Sequence, residues 1–144
     1  MEERLGYELK RAQQALRATM EAALGDFGLT APQYAALAAL EEAPGISSAE
    51  LARRSFVTPQ TMQAIVAGLE RRGLLARAGI PGHGRVLAVE LSEEGCRLVD
   101  RAHSSVRAIE ERMSAGLSGR ERRQLFDLLR RCAQALEAGE PATA

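Results

Sequence analysis

The sequence contains no Trp, and only two Tyr and three Phe in 144 residues. A core built from it is therefore aliphatic, made of Leu, Ala, Val and Ile. Histidine and cysteine are equally scarce. His83, His103, Cys96 and Cys132 are too few and too scattered to suggest a metal site. The two cysteines stand 36 residues apart, in no CxxC spacing and beside no histidine. They read as small buried apolar residues in a reducing compartment; the alternative, a redox-sensing or intersubunit pair, has no support from neighbouring residues. No apolar run approaches the roughly 18 residues that a membrane-spanning helix requires. The opening MEERLGYELKRAQQ has no apolar stretch of the signal-peptide kind. A cytoplasmic location with no membrane partner is therefore expected. Catalytic signatures are missing too: no paired His and Cys, no GxSxG, no P-loop and no HExxH. Neither an enzyme nor a bound cofactor is expected. The formal net charge is zero, which argues against a generic polyanion binder but leaves room for a local basic face.

Lys10 is the one lysine, so the other 18 of the 19 basic residues are Arg. Guanidinium forks suit phosphates and guanine edges. A coding bias toward Arg and Ala would produce the same composition, so position has to decide.

The length fits one domain, or one small domain with appended helices. Apolar residues make up 46% of the chain, an ordinary share for a globular protein. From about Glu2 to Leu24, the residues Leu5, Leu9, Ala12, Leu16, Met20 and Leu24 recur at helical spacing, and Gly25 and Gly28 end the run. Thr30 and Pro32 open a second helix with an inner face of Tyr34, Leu37 and Leu40, stopped at Ala43-Pro44-Gly45. Ser47-Ser48-Ala49-Glu50 reads as a capping box, in which Glu50 reaches back to the cap. A short helix follows through Arg54, and Ser55-Phe56-Val57 turns the chain. Thr58-Pro59 then caps a helix to about Arg72, with Gly73 as its stop and Met62, Ile65, Val66 and Leu69 as its buried face.

Leu74 to Ala78 and Arg85 to Leu91 flank the six-residue loop Gly79 to Gly84. The second run alternates with a period of two, so a β-hairpin with an exposed tip is expected. Ser92 caps a long helix that carries Glu93 and Glu94 in its first turn. Ser118 to Glu121 is another capping box, and the last helix carries Leu125, Leu128, Leu129, Cys132 and Leu136. The expected fold is mainly α with a small β-hairpin wing. It is a winged helix-turn-helix over residues 29–92, flanked by dimerisation helices at 1–28 and 93–139, with a disordered tail at 140–144.

Two short helices joined by a tight turn, with a hairpin after the second, form a winged helix-turn-helix. Such a unit inserts the N-terminal end of its second helix into the major groove of double-stranded DNA. The residues expected there are Thr58, Pro59, Gln60, Thr61, Gln63 and Ala64. Gln can bond adenine N6 and N7 together, and Thr can contact thymine. The same residues would also suit a merely solvated helix face. Between Glu50 and Glu90, six Arg face three Glu, a local balance of +3 in a neutral chain. Arg53, Arg54 and Arg77, together with His83 and Arg85 of the wing, are the candidate contacts to phosphate or minor groove. Arg85, beside Gly84 at the hairpin tip, suits a narrow minor groove, where the potential is most negative. At least one of Arg71 and Arg72 is expected to serve structural pairing or the helix dipole instead.

With these motifs in order, the chain resembles the MarR family of regulators from about Leu5 to Leu136. The resemblance rests on Leu29-Thr30-Ala31-Pro32-Gln33-Tyr34-Ala35-Ala36-Leu37, on Glu50-Leu51-Ala52 and on Leu69-Glu70-Arg71-Arg72-Gly73-Leu74-Leu75-Ala76-Arg77. It also rests on Gly84-Arg85 followed by Val89-Glu90-Leu91-Ser92-Glu93-Glu94-Gly95. The resemblance implies a homodimer joined by its terminal helices. It implies a repressor that releases a palindromic operator when a small aromatic or phenolic effector binds between the dimer helices and the reader domain. Two departures stand out. The family's wing usually has Asp two residues before the tip Arg, and here that position is His83. Members that sense oxidants do so through a Cys near the N-terminal helix, and this chain has none there. Rival readings are another winged-helix regulator family, and a winged-helix protein-interaction module without DNA binding.

Overall fold

A computed structural model describes residues 4–77 and 89–139, with the side chain of Arg77 excepted. Residues 1–3, residues 78–88, which include His83 and Arg85 and the tip expected from the sequence, and residues 140–144 lie outside the described residues. The elements run α1 (Leu5–Gly25), α2 (Ala31–Glu42), α3 (Ser48–Arg54), α4 (Pro59–Arg71), β1 (Leu75–Arg77), β2 (Val89–Leu91), α5 (Glu93–Met113) and α6 (Gly119–Glu137). The chain divides into two compact units, one ending at Ile109 and one beginning at Glu110.

The first unit holds the buried core. Leu24 of α1, Leu37 of α2, Leu51 of α3, Met62 and Leu69 of α4 and Val99 of α5 are all completely or almost completely buried. Each helix of this unit thus contributes to one aliphatic cluster, as the shortage of aromatics requires. α3 packs on both α2 and α4, and β1 follows α4 closely. Local chemistry sets the helix starts. The Thr30 hydroxyl accepts from the Gln33 amide while the Gln33 side chain accepts from the Thr30 amide, a reciprocal box at the start of α2. Thr58 caps α4 by accepting from the Thr61 amide, with Pro59 in the first helical position. α4 ends at Arg71 with Arg72 as its C-cap, after which Gly73 turns the chain at φ +76°.

β1 and β2 pair antiparallel, with Leu75 opposite Leu91, Ala76 opposite Glu90 and Arg77 opposite Val89. Leu75 and Val89 are buried, while Ala76 and Glu90 are exposed. In β2 the buried Val89, exposed Glu90 and half-buried Leu91 follow the alternation expected of the second run. Ser92 joins this hairpin to the reader domain. Its hydroxyl donates to the Gly73 carbonyl at 2.6 Å and accepts from the Gly95 amide at 3.0 Å, capping α5. Its own amide donates to the Leu74 carbonyl.

The amphipathic stripe of α1 is buried only at its C-terminal end, at Leu24; Leu5 and Leu9 are exposed. In the second unit, α6 opens with the Ser118–Glu121 capping box and buries none of its residues. Leu125, Phe126, Leu128, Leu129 and Leu136 are all exposed, as are Cys96 and Cys132. The cysteines are thus not the buried residues their spacing suggested; Cys96 lies on a solvent-facing position of α5 and Cys132 on the uncovered α6. No described helix is long and apolar enough to cross a membrane.

Candidate nucleic-acid interface

α4 is anchored from behind. Met62, Val66 and Leu69 are buried, and Ile65 packs against them. That leaves Gln60, Thr61, Gln63 and Ala64 exposed on the first two turns, beside the exposed cap residues Thr58 and Pro59. Gln60, Gln63 and Ala64 follow three- and four-residue spacing, so they share one face. All six residues expected at the major groove are therefore brought together at the start of one rigid helix. The Thr58 hydroxyl also donates to Oγ1 of Thr61 at 3.0 Å. The Thr61 hydroxyl thus keeps its own proton and one lone pair for a further partner.

The basic residues divide. Arg53 and Arg54 project from the end of α3, but both are held by Glu50. Arg53 donates through Nε at 2.9 Å and Nη2 at 2.6 Å, and Arg54 through Nε at 3.0 Å. The Glu50 side chain does not complete the capping box expected of it. Ser47 still caps α3 by accepting from the Glu50 amide, but the carboxylate turns to the two guanidiniums. Their hydrogen bonds, Arg53 first, hold that carboxyl below its ordinary value of 4.5. An ionic pair with two charged donors outcompetes a single neutral amide for one carboxylate. Arg72 is structural: its Nη1 donates to the Gly28 carbonyl at 2.8 Å, tying the end of α4 to the turn after α1. Arg77 stands on β1, opposite Val89. His83 and Arg85 lie outside the described residues.

A polar chain that sequence reasoning missed links α2 to α5. The Tyr34 hydroxyl lies 2.6 Å from Nδ1 of His103, and Nε2 of His103 lies 3.0 Å from Oε1 of Glu41. The two rings meet edge to face, with centroids 5.4 Å apart. Tyr34 and Glu41 are two helical turns apart, on the same side of α2. That spacing was the only signal in the sequence. Among the described residues no cluster of three or more His, Cys, Asp or Glu could hold a metal ion.

Comparison with known proteins bears on this arrangement. The sequence profile of the MarR family matches residues 27–86, a span from the turn after α1 into the wing. The HTH-type transcriptional repressor Rv2887 of Mycobacterium tuberculosis is 41% identical over 125 residues, which cover 87% of this chain and 90% of the repressor. The crystal structure of Rv2887 in complex with DNA superposes with a TM-score of 0.75 at 38% identity, covering 91% of this chain and 98% of that one. The structure of Rv2887 with salicylic acid gives 0.74 at 39% identity, covering 91% and 97%. With its helix order, its hairpin and these relatives, the chain belongs to the MarR family.

Proposed function

We propose that this protein is a sequence-specific, double-stranded DNA-binding transcriptional regulator of the cytoplasm. In this reading it acts as a homodimer on a palindromic operator and represses until a small aromatic or phenolic effector binds. The observation that carries the proposal is the construction of α4. Its inner face is locked into the core, and Gln60, Thr61, Gln63 and Ala64 stand exposed at its N-terminal end. A reader helix must be held in this way, because a base contact specifies sequence only if its donor is positioned in advance. Rv2887, alike over nearly its whole length, has been crystallised both with DNA and with salicylic acid.

In this reading residues 29–92 bind DNA, and residues 1–28 and 93–139 dimerise. Thr58, Pro59, Gln60, Thr61, Gln63 and Ala64 meet the major groove. Arg53, Arg54, Arg77, His83 and Arg85 meet phosphate or minor groove. The apolar residues exposed on α1 and α6 support the dimer, since a large uncovered apolar surface marks an interface. The test is a gel shift with the DNA flanking the protein's own gene, across a salt series, with and without salicylate. A sequence-preferring, salt-sensitive shift that salicylate reverses is expected. A protein-interaction module would give no such shift. A shift that no aromatic acid or phenol reverses would remove the effector and leave the regulator.

A further inference from the structure

Phe56 is 94% exposed, the most exposed large apolar side chain among the described residues. It also holds a backbone φ of +56°, the only described non-glycine residue with a positive value. The left-handed region is disfavoured for a residue with a β-carbon, and more so for a bulky one. Turns between the two helices of this motif often contain Gly, which takes such a φ without strain. Phe56 therefore gives folding nothing that Gly would not: its ring is in water and its backbone is strained. Strained positions that persist are concentrated where a site uses them.

Its surroundings indicate the use. The Phe56 amide donates to the Arg53 carbonyl at 3.2 Å, and Phe56 stands two residues before Thr58, the cap of the reader helix. Along the chain it thus lies between Arg53 and Arg54, which end α3, and the six exposed residues, from the cap Thr58 to Ala64, that the reading above assigns to the groove. In a helix-turn-helix the first helix crosses the DNA backbone and the second enters the groove. The turn between them meets the edge of the groove, where deoxyribose offers the apolar surface beside the phosphates.

Resting on the DNA-binding reading above, we propose that Phe56 is a DNA-contact residue whose ring packs on the sugar face of the operator backbone at the groove edge. Such a contact adds affinity without reading a base and without neutralising a phosphate. That combination separates it from a Gln in the groove and from an Arg on a phosphate.

The test uses F56G and F56N, two residues that accept a positive φ. Affinity is measured by fluorescence anisotropy on the operator and on an unrelated duplex, over a salt series, beside thermal melting and sedimentation. Both variants should lose about tenfold on both duplexes, as expected for partial burial of one ring. The slope of log K against log salt should not change, and the melting temperature should hold or rise. The dimer should persist. Unchanged affinity, a loss confined to the operator, or weakened dimerisation would each overturn the proposal. Wild-type protein with no salt-sensitive binding would instead overturn the regulator reading itself.

Discussion

Nδ1 of His103 and the hydroxyl of Tyr34 meet at 2.6 Å, and Glu41 fixes which of the two donates. The Glu41 carboxylate only accepts, so Nε2 of His103 carries a proton toward it across 3.0 Å. In the neutral ring Nδ1 is then an acceptor, and Tyr34 is its donor. The relay ties α2, the first helix of the reader domain, to α5. Tyr34→Phe should cost about 1 kcal/mol in urea unfolding, the net worth of one hydrogen bond. Tyr34→Phe and His103→Leu should not add, because both remove the same contact. Additive losses would show that the two side chains are energetically independent.

Two helical glycines should respond in opposite directions to Ala. At Gly68 the nearest atom to an added β-carbon is Nη2 of Arg71, at 3.8 Å, an ordinary contact with a flexible side chain. Gly68 therefore serves no close packing, and Gly68→Ala should stabilise by about 0.5–1 kcal/mol. At Gly95 an added β-carbon would run into the backbone carbonyl of Leu74. That carbonyl is fixed by the Ser92 amide and cannot give way cheaply. Gly95→Ala should destabilise by about 1–3 kcal/mol. Thermal melting of the two variants checks both signs, and a shared sign would refute the packing argument.

The helix starts were legible because short-range chemistry sets them: Thr30, Ser47, Thr58, Ser92 and Ser118 each cap within three residues of themselves. The inner face of α4 was legible for the same reason, since Met62, Val66 and Leu69 follow helical period. What failed to show was competition and distance. Glu50 has a backbone amide and two guanidiniums in reach, and sequence spacing cannot rank them. His103 reaches Tyr34 across 69 residues. Phe56 was read as turn, but not as a left-handed position, because its residue type argues against that conformation.

Glu50 restrains the charge of the interface. Its single carboxylate pairs with both Arg53 and Arg54 at the C-terminal end of α3 and offsets one of their two positive charges. Glu50→Gln keeps the shape and removes the anion, so binding to any duplex should tighten several-fold at low salt. The gain should fade as salt rises, since it is electrostatic. Stability carries the opposite sign. With its folded pKa lowered from 4.5, Glu50 stabilises the fold above that value and loses the contribution as pH falls through the lower folded value. Glu50→Gln should therefore flatten the acid limb of the stability profile below about pH 4.5. An exposed pair makes this effect small. Equal DNA affinity in both proteins at low salt would show that the two arginines do not face phosphate.

The apolar face of α6 should be covered by a second copy. Phe126 is 61% exposed and Leu129 43%, on a helix that buries none of its residues. A two-fold interface would remove this surface from water. Wild-type protein should sediment as a dimer at micromolar concentration, with a melting temperature that rises with concentration. Leu129→Asp should shift it toward monomer and abolish two-site operator protection. A well-folded wild-type monomer at that concentration would reject the dimer.

The two readout devices, helix and wing, should fail in different ways. Gln63 is exposed on the second turn of α4, whose core face is fixed by Met62 and Val66. Gln63→Ala removes a neutral donor and acceptor from the major groove. It should cost about 1–3 kcal/mol on the best operator and relax preference at one base pair per half-site. Binding to unrelated DNA should barely change, because no charge is lost. Arg85 belongs to the wing expected from the sequence, beside Gly84. Arg85→Ala removes a charge, so it should weaken operator and unrelated DNA alike and flatten the salt slope by about one unit per wing. If the guanidinium enters the minor groove, its loss should be greater beside an A-tract, where the narrow groove concentrates the potential. Footprinting should show an inverted repeat with half-site centres about 10 bp apart, since two reader helices of a dimer address one face of the duplex. Anisotropy titrations of both variants, on both duplexes, separate the two devices. An Arg85→Ala protein with unaltered affinity and salt slope would reject the wing contact. A Gln63→Ala protein with unaltered base preference would move sequence reading to Gln60 and Thr61.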